Sequence, residues 1–225
     1  MYNPATPSEL RFMDIIFQDK FVLILNKPAG IPVLPDGWDK NAPYLVKALE
    51  EKYGKIFVIH RLDKITSGVM VFARDAESHR ALNMQFENHE VEKIYHAIVE
   101  GNPKWEEKIA KHPLRVNVGH KHRTTVDDRN GKPSETRFRL RKLYQAAALV
   151  EAVPKTGRTH QVRVHAKAVG HPLIGDVLYG AAESKIIARP ALHALSLTFT
   201  HPVTNERLTF TAEYPQDFAT ALKLL

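Results

Sequence analysis

The chain has 225 residues, 44% hydrophobic and 25% charged, which is ordinary for a globular protein able to bury its own core. It has no cysteine, which excludes disulfides and thiolate metal sites, and no apolar run approaches the roughly 20 residues of a membrane span. Lys and Arg number 32 against 25 Asp and Glu, a formal charge of +7 that points to an anionic partner.

Residues 1–11 hold two prolines and no periodicity, and no basic stretch followed by an apolar run marks a signal peptide. The cytoplasm is the expected compartment. Two apolar clusters around Gln18-Asp19-Lys20 predict a hairpin over residues 12–25, broken by Asn26-Lys27-Pro28-Ala29-Gly30. Asn41 is placed to cap a helix over residues 43–53, with Leu45, Val46, Leu49 and Tyr53 at helical spacing and Gly54 as its stop. Residues 56–59 and 69–73 are short apolar runs of the kind that form buried strands. Asp75 caps a second helix to about residue 88, and residues 93–100 alternate as a strand.

Residues 104–130 are the least regular part of the chain. Residues 104–142 hold the whole charge excess, 12 basic against 5 acidic, which leaves 20 of each elsewhere. Such a segment suits a phosphate backbone, whose attraction is independent of base sequence, and a solvated charged hairpin is the plainer alternative. Residues 134–143 read as a strand with Thr136, Phe138 and Leu140 on one face and Arg137, Arg139 and Arg141 on the other. It pairs with residues 146–153. Thr159 caps a helix to about residue 169, two strands follow at 192–200 and 207–213, and residues 216–225 form a terminal helix. Strands outnumber helices and neighbour one another in sequence, so the expected class is α+β with a largely antiparallel sheet. One domain is expected over residues 1–225, with its core at about 12–215.

Chemistry concentrates in three places. The first is H-R-L-D-K-I-T-S-G at residues 60–68, a polar loop held at both ends by buried strands. Asp63 lies there with Arg61 and Lys64 beside it, cations that favour its charged form. By spacing alone, a turn whose Asp caps backbone amides fits equally well. A kinase catalytic loop does not fit, because Leu62 stands between Arg61 and Asp63 and no glycine-rich phosphate loop precedes them. The second is Lys93-Ile94-Tyr95, and the third is T-G-R-T-H-Q-V-R-V-H at 156–165, continued by G-H-P-L-I-G-D at 170–176 and Tyr179. The pairs His160/His165 and His120/His122 lack zinc-motif spacing, so no metal is expected.

Taken together these motifs resemble the RluA family of RNA pseudouridine synthases, in the short, single-domain form without an S4 domain. The resemblance runs from about Phe21 to Phe210. It implies the pseudouridine synthase fold, a mixed, largely antiparallel central sheet with flanking helices and a central RNA-binding cleft. It implies an isomerase (an intramolecular transferase) that turns a uridine of tRNA or rRNA into pseudouridine, as a monomer and without cofactor. Asp63 matches the family's nucleophile, which attacks the ribose, acts through a glycal, or adds at C6 of the base. Tyr95 matches the residue that stacks on the target base, and Arg163 the residue that pairs with the nucleophile. Arg61 matches the side chain that fills the vacated stack, and His60 and Thr66 beside it count as substrate-binding. Lys121, Arg123, Arg137, Arg139 and Arg141 are the candidate phosphate contacts. Two other classes stand beside this reading. A noncatalytic RNA-binding protein would leave Asp63, Tyr95 and Arg163 unexplained, and a nucleoside or glycosidic-bond hydrolase would want a second carboxylate near the first.

Overall fold

The computed structural model describes residues 14–35, 42–119 and 123–225. In chain order the first elements are β1 (Asp14–Gln18), β2 (Val22–Lys27), α1 (Leu45–Tyr53), β3 (Phe57–Val58), β4 (Ser67–Ala73) and α2 (Ala76–Glu87). Then come β5 (Glu92–Glu100), β6 (Glu107–Ala110), β7 (Leu114–Val118), β8 (Arg123–Val126), β9 (Thr136–Leu143) and β10 (Ala147–Pro154). The chain closes with α3 (Gln161–Ala168), a 3-10 turn at Val177–Tyr179, β11 (Leu192–Thr200), β12 (Arg207–Thr211) and α4 (Gln216–Leu224). They gather into two compact units, one of Met1–Glu92 with Ala194–Tyr214, the other of Lys93–His193 with Pro215–Leu225. Both carry largely antiparallel strands and helices, the expected α+β class.

In the first unit the strands run β1-β2-β4-β11, with β3 beside β4 and β12 beside β11. All seven residues of β4 are buried, as a strand covered on both faces requires, and Val22 to Leu25 of β2 are fully buried beside it. Asp19 ties the β1–β2 turn by accepting from the N–H groups of Phe21 and Val22 at 2.7 and 2.8 Å. Helix α2 starts where its sequence says: the Asp75 carboxylate accepts from the N–H groups of Glu77 and Ser78 at 2.9 and 2.8 Å. Helix α1 begins at Leu45 behind Tyr44, which makes no side-chain cap; the cap expected from Asn41 lies outside the described residues.

In the second unit the order is β5-β10-β9-β6. One face of these strands carries Ala97, Val99, Phe138, Ala148, Val150 and Ala152, packed against Val162 and Ala166 of α3. The stretch 104–130, expected to be irregular, holds three strands instead. Strands β7 and β8 form a hairpin whose register shifts between Arg115 and Val118. Asn117 (φ 58°) has left-handed backbone and the alternation is lost there, which hides the strand from a period-2 reading. Helix α3 also starts later than a Thr159 cap would give. Its N-cap is His160 in left-handed conformation with no side-chain cap, and the Gln161 side chain ties down the preceding loop, its Oε1 accepting from Arg158 N–H (3.1 Å) and the Thr156 hydroxyl (2.7 Å). No described helix is long and apolar enough to cross a membrane.

Candidate active site

The loop carrying Asp63 is built from its two ends inward. Leu62 is buried and pins the loop, while Arg61 and Lys64 are exposed on either side of half-buried Asp63. The Thr66 N–H donates to the Asp63 carbonyl at 3.0 Å and closes a tight turn; Thr66 and Ser67 are both buried. Gly68 has φ +122°, and a Cβ there would lie 2.1 Å from the Ala194 carbonyl oxygen, so only glycine fits the point where β4 begins.

Beneath the turn sits Lys27, wholly buried at the end of β2. Its ammonium donates to the carbonyls of Pro28 (2.7 Å), Ile31 (2.9 Å) and Lys64 (3.2 Å), and Gly30 N–H donates to the same Lys64 carbonyl at 2.7 Å. A buried cation costs several kcal/mol unless its donors are met, and here they join the N-K-P-A-G turn to the Asp63 loop. By residue type the pentapeptide reads as a turn, and as N-K-P-x-G it resembles the family element that borders the active-site cleft; its clamp on the Asp63 loop is a tertiary fact. His60 also serves the scaffold. Its Nε2 accepts from Val71 N–H at 3.1 Å and its ring stacks on Phe86 at 4.8 Å.

In the second unit Tyr95 is half-buried on β5, opposite Ala152 of β10, and packs against the α3-covered core. Arg163, 3% exposed, is gripped by a carboxylate that the sequence reading left without a role: Asp176 accepts from its Nε and Nη2, both at 2.7 Å. The two parallel bonds fix the plane of the guanidinium. The Tyr179 ring lies 4.9 Å from its Cζ. The motif histidines are hydrogen-bonded. His165 Nδ1 meets the Thr136 hydroxyl at 2.9 Å and its Nε2 the His112 carbonyl at 3.1 Å, and burial pushes its pKa down; His171 Nδ1 donates to the Glu100 carbonyl at 2.9 Å. Among the described residues no group of three His, Asp or Glu is set to hold a metal.

The arginine face of β9 is real, and it is not bare. Glu107 of β6 meets Arg137 at 3.8 Å and Arg139 at 2.9 Å, while Glu151 of β10 meets Arg139 at 3.5 Å and is bound by Arg141. Three arginines thus share two carboxylates. Arg123 is exposed on β8, and Lys121 lies outside the described residues.

A profile of the RNA pseudouridylate synthase family matches residues 21–168, which include Asp63, Tyr95 and Arg163. The chain belongs to that family. It is 37% identical over 214 residues to the dual-specificity RNA pseudouridine synthase RluA of Haemophilus influenzae, covering 94% of this chain and 96% of the relative. It is 35% identical to the ribosomal large subunit pseudouridine synthase D of Zymomonas mobilis, covering 95% and 73% respectively. Among solved structures it resembles human RNA pseudouridylate synthase domain containing 4, with a TM-score of 0.77 and 26% identity over 96% of this chain and 94% of that one. Pseudouridine synthases are isomerases, so the activity class and the RluA resemblance both stand.

Proposed function

We propose that this synthase isomerises a uridine of tRNA, rRNA or both, with Asp63 as nucleophile. The observation that carries the reading is the Asp63 turn itself, pinned by Leu62, Gly68 and the buried Lys27 so that one carboxylate is presented in a fixed place. In the reaction the N1–C1′ bond of uridine breaks, the base turns, C5 bonds to C1′, and the proton lost from C5 is matched by one gained at N1. Atoms and electrons balance within the nucleotide, so neither mass nor oxidation state changes. The bond is hidden in a stacked strand, and the nucleotide must leave the stack at a cost of a few kcal/mol. Arg61, exposed beside the nucleophile, suits the vacated place because a planar guanidinium stacks as well as it pairs. Arg163 is assigned to pair with Asp63, and Thr66 and His60 hold the loop. The cytoplasm is the proposed compartment and a monomer the working state. Mapping pseudouridine in tRNA and rRNA from cells with and without the protein tests the assignment. Loss of no site would sink it, and release of free uracil from incubated RNA would favour a hydrolase instead.

Tyr95 is assigned to stack on the base and, through its hydroxyl, to move a proton. Tyr95→Phe keeps the ring, so RNA affinity should persist while product formation falls by about 10²-fold or more. A nearly active variant would leave stacking as its only role.

The arginine face divides by burial. Glu107 is exposed, so its ion pairs with Arg137 and Arg139 are weak in water, and a phosphate can take its place. Glu151 is 6% exposed, and Arg141, with Arg139 at 3.5 Å, compensates its buried charge. Replacing Arg137 and Arg139 with Ala should weaken RNA binding and flatten the salt dependence by about 0.7 to 0.9 per arginine. Arg141→Ala should instead cost about 1–2 kcal/mol of stability, read as a lowered urea midpoint. An unchanged salt slope in the double variant would place the RNA elsewhere.

A further inference from the structure

The hairpin β7–β8 and the buried arginine are joined by one side chain. Tyr179, 3% exposed, lies with its ring 4.9 Å from the Arg163 Cζ, and its hydroxyl reaches the hairpin, accepting from Thr124 N–H at 3.0 Å. The same hydroxyl is 2.8 Å from His160 Nδ1. Burial pushes the phenol pKa up, so the group keeps its proton at neutral pH. The turn that carries Tyr179 starts at Asp176, whose carbonyl accepts from Tyr179 N–H at 3.0 Å and whose carboxylate holds Arg163. Thr124 is buried, and its Oγ1 has no hydrogen-bond partner among the described residues, so the Tyr179 hydroxyl is the polar tie at that seat. Next to it, Arg123 stands exposed on a strand of the most basic segment.

We propose that Tyr179 is a positioning residue that couples the β7–β8 hairpin to Arg163, so that RNA seated on the hairpin shifts the buried Arg163–Asp176 pair as a unit. The role in turnover rests on the reading that Arg163 serves the reaction. The hairpin is a two-stranded element that Thr124 ties to this network, its N–H donating to the Tyr179 hydroxyl. Load on Arg123 is therefore passed to its neighbour Thr124 and through one hydroxyl to the ring against which Arg163 lies. A displacement near 1 Å in a group that orients a reacting atom costs about 10²-fold in rate, so a single hydrogen bond is enough to matter.

The test uses the full chain labelled with nitrogen-15, following the Arg163 Nε–H resonance, assigned by its absence in Arg163→Lys. In the wild type, adding substrate RNA should shift that resonance. In Tyr179→Phe, RNA should bind within about threefold of wild type, the shift should vanish, and single-turnover rate should fall about tenfold to a hundredfold. In an Arg163→Lys background the same change should cost less than about twofold, because the coupled partner is already gone. A full-sized shift in Tyr179→Phe, or a rate within twofold of wild type, would overturn the coupling. Thr124→Pro, which deletes the hairpin N–H and leaves Tyr179 whole, should reproduce the lost shift if Tyr179→Phe does not fold. Full turnover in Arg163→Lys would overturn the reading that Arg163 serves the reaction, and the resonance would still decide the coupling.

Discussion

Asp63→Asn should abolish pseudouridine formation, by at least about 10³-fold, while RNA binds as well as before. The substitution keeps size and shape and removes only the negative charge. Its backbone part is unaffected: the turn is closed by the Asp63 carbonyl and the Thr66 N–H, and the Lys64 carbonyl remains clamped by Lys27 and Gly30. The fold should therefore survive with an unchanged melting midpoint, which separates a lost nucleophile from a lost loop. Single-turnover assays on tRNA and rRNA, with affinity measured alongside, check both halves. Activity within tenfold of wild type would remove Asp63 from the mechanism.

Gly68→Ala should be the costliest single methyl group in the first unit, at about 3–5 kcal/mol. Two penalties coincide. The backbone at φ +122° is one that residues with a Cβ avoid, and the new Cβ would meet the Ala194 carbonyl at 2.1 Å and its amide nitrogen at 2.6 Å. Both atoms are backbone, so no side chain can swing away. Relief requires β4 and the residues around Ala194 to part, and Ser67, Thr66 and the Asp63 turn would move with them. Chemical denaturation should show the loss, and turnover should fall with it. The contrast with Asp63→Asn is diagnostic, because there activity goes and stability stays. A Gly68→Ala protein with wild-type stability would mean that the close approach of β4 to Ala194 is absent in solution.

Short-range patterns encode part of this fold. The five-residue apolar run of β4 (69–73), the Asp75 cap of α2 and the polar loop between buried strands follow from period, capping chemistry and turn residues alone. The outward alternation of Arg137, Arg139 and Arg141 was equally plain, since residues two apart on a strand share a face. What those arginines meet was not plain. Glu107 stands opposite Arg139 and Glu151 lies across from it on the other side only because β6 and β10 take that register. The strands β6, β7 and β8 escaped a period-2 reading because few of their residues are buried and Asn117 breaks the alternation. Lys27 read as part of a turn, yet it is buried because three carbonyls from Pro28, Ile31 and Lys64 converge on it, the last 37 residues away. Asp176 and Arg163, 13 residues apart with a turn between them, become one rigid pair only when the chain folds back on α3. Local sequence sets periodicity and caps, while the partners of buried charges depend on register and packing, which only the tertiary structure decides.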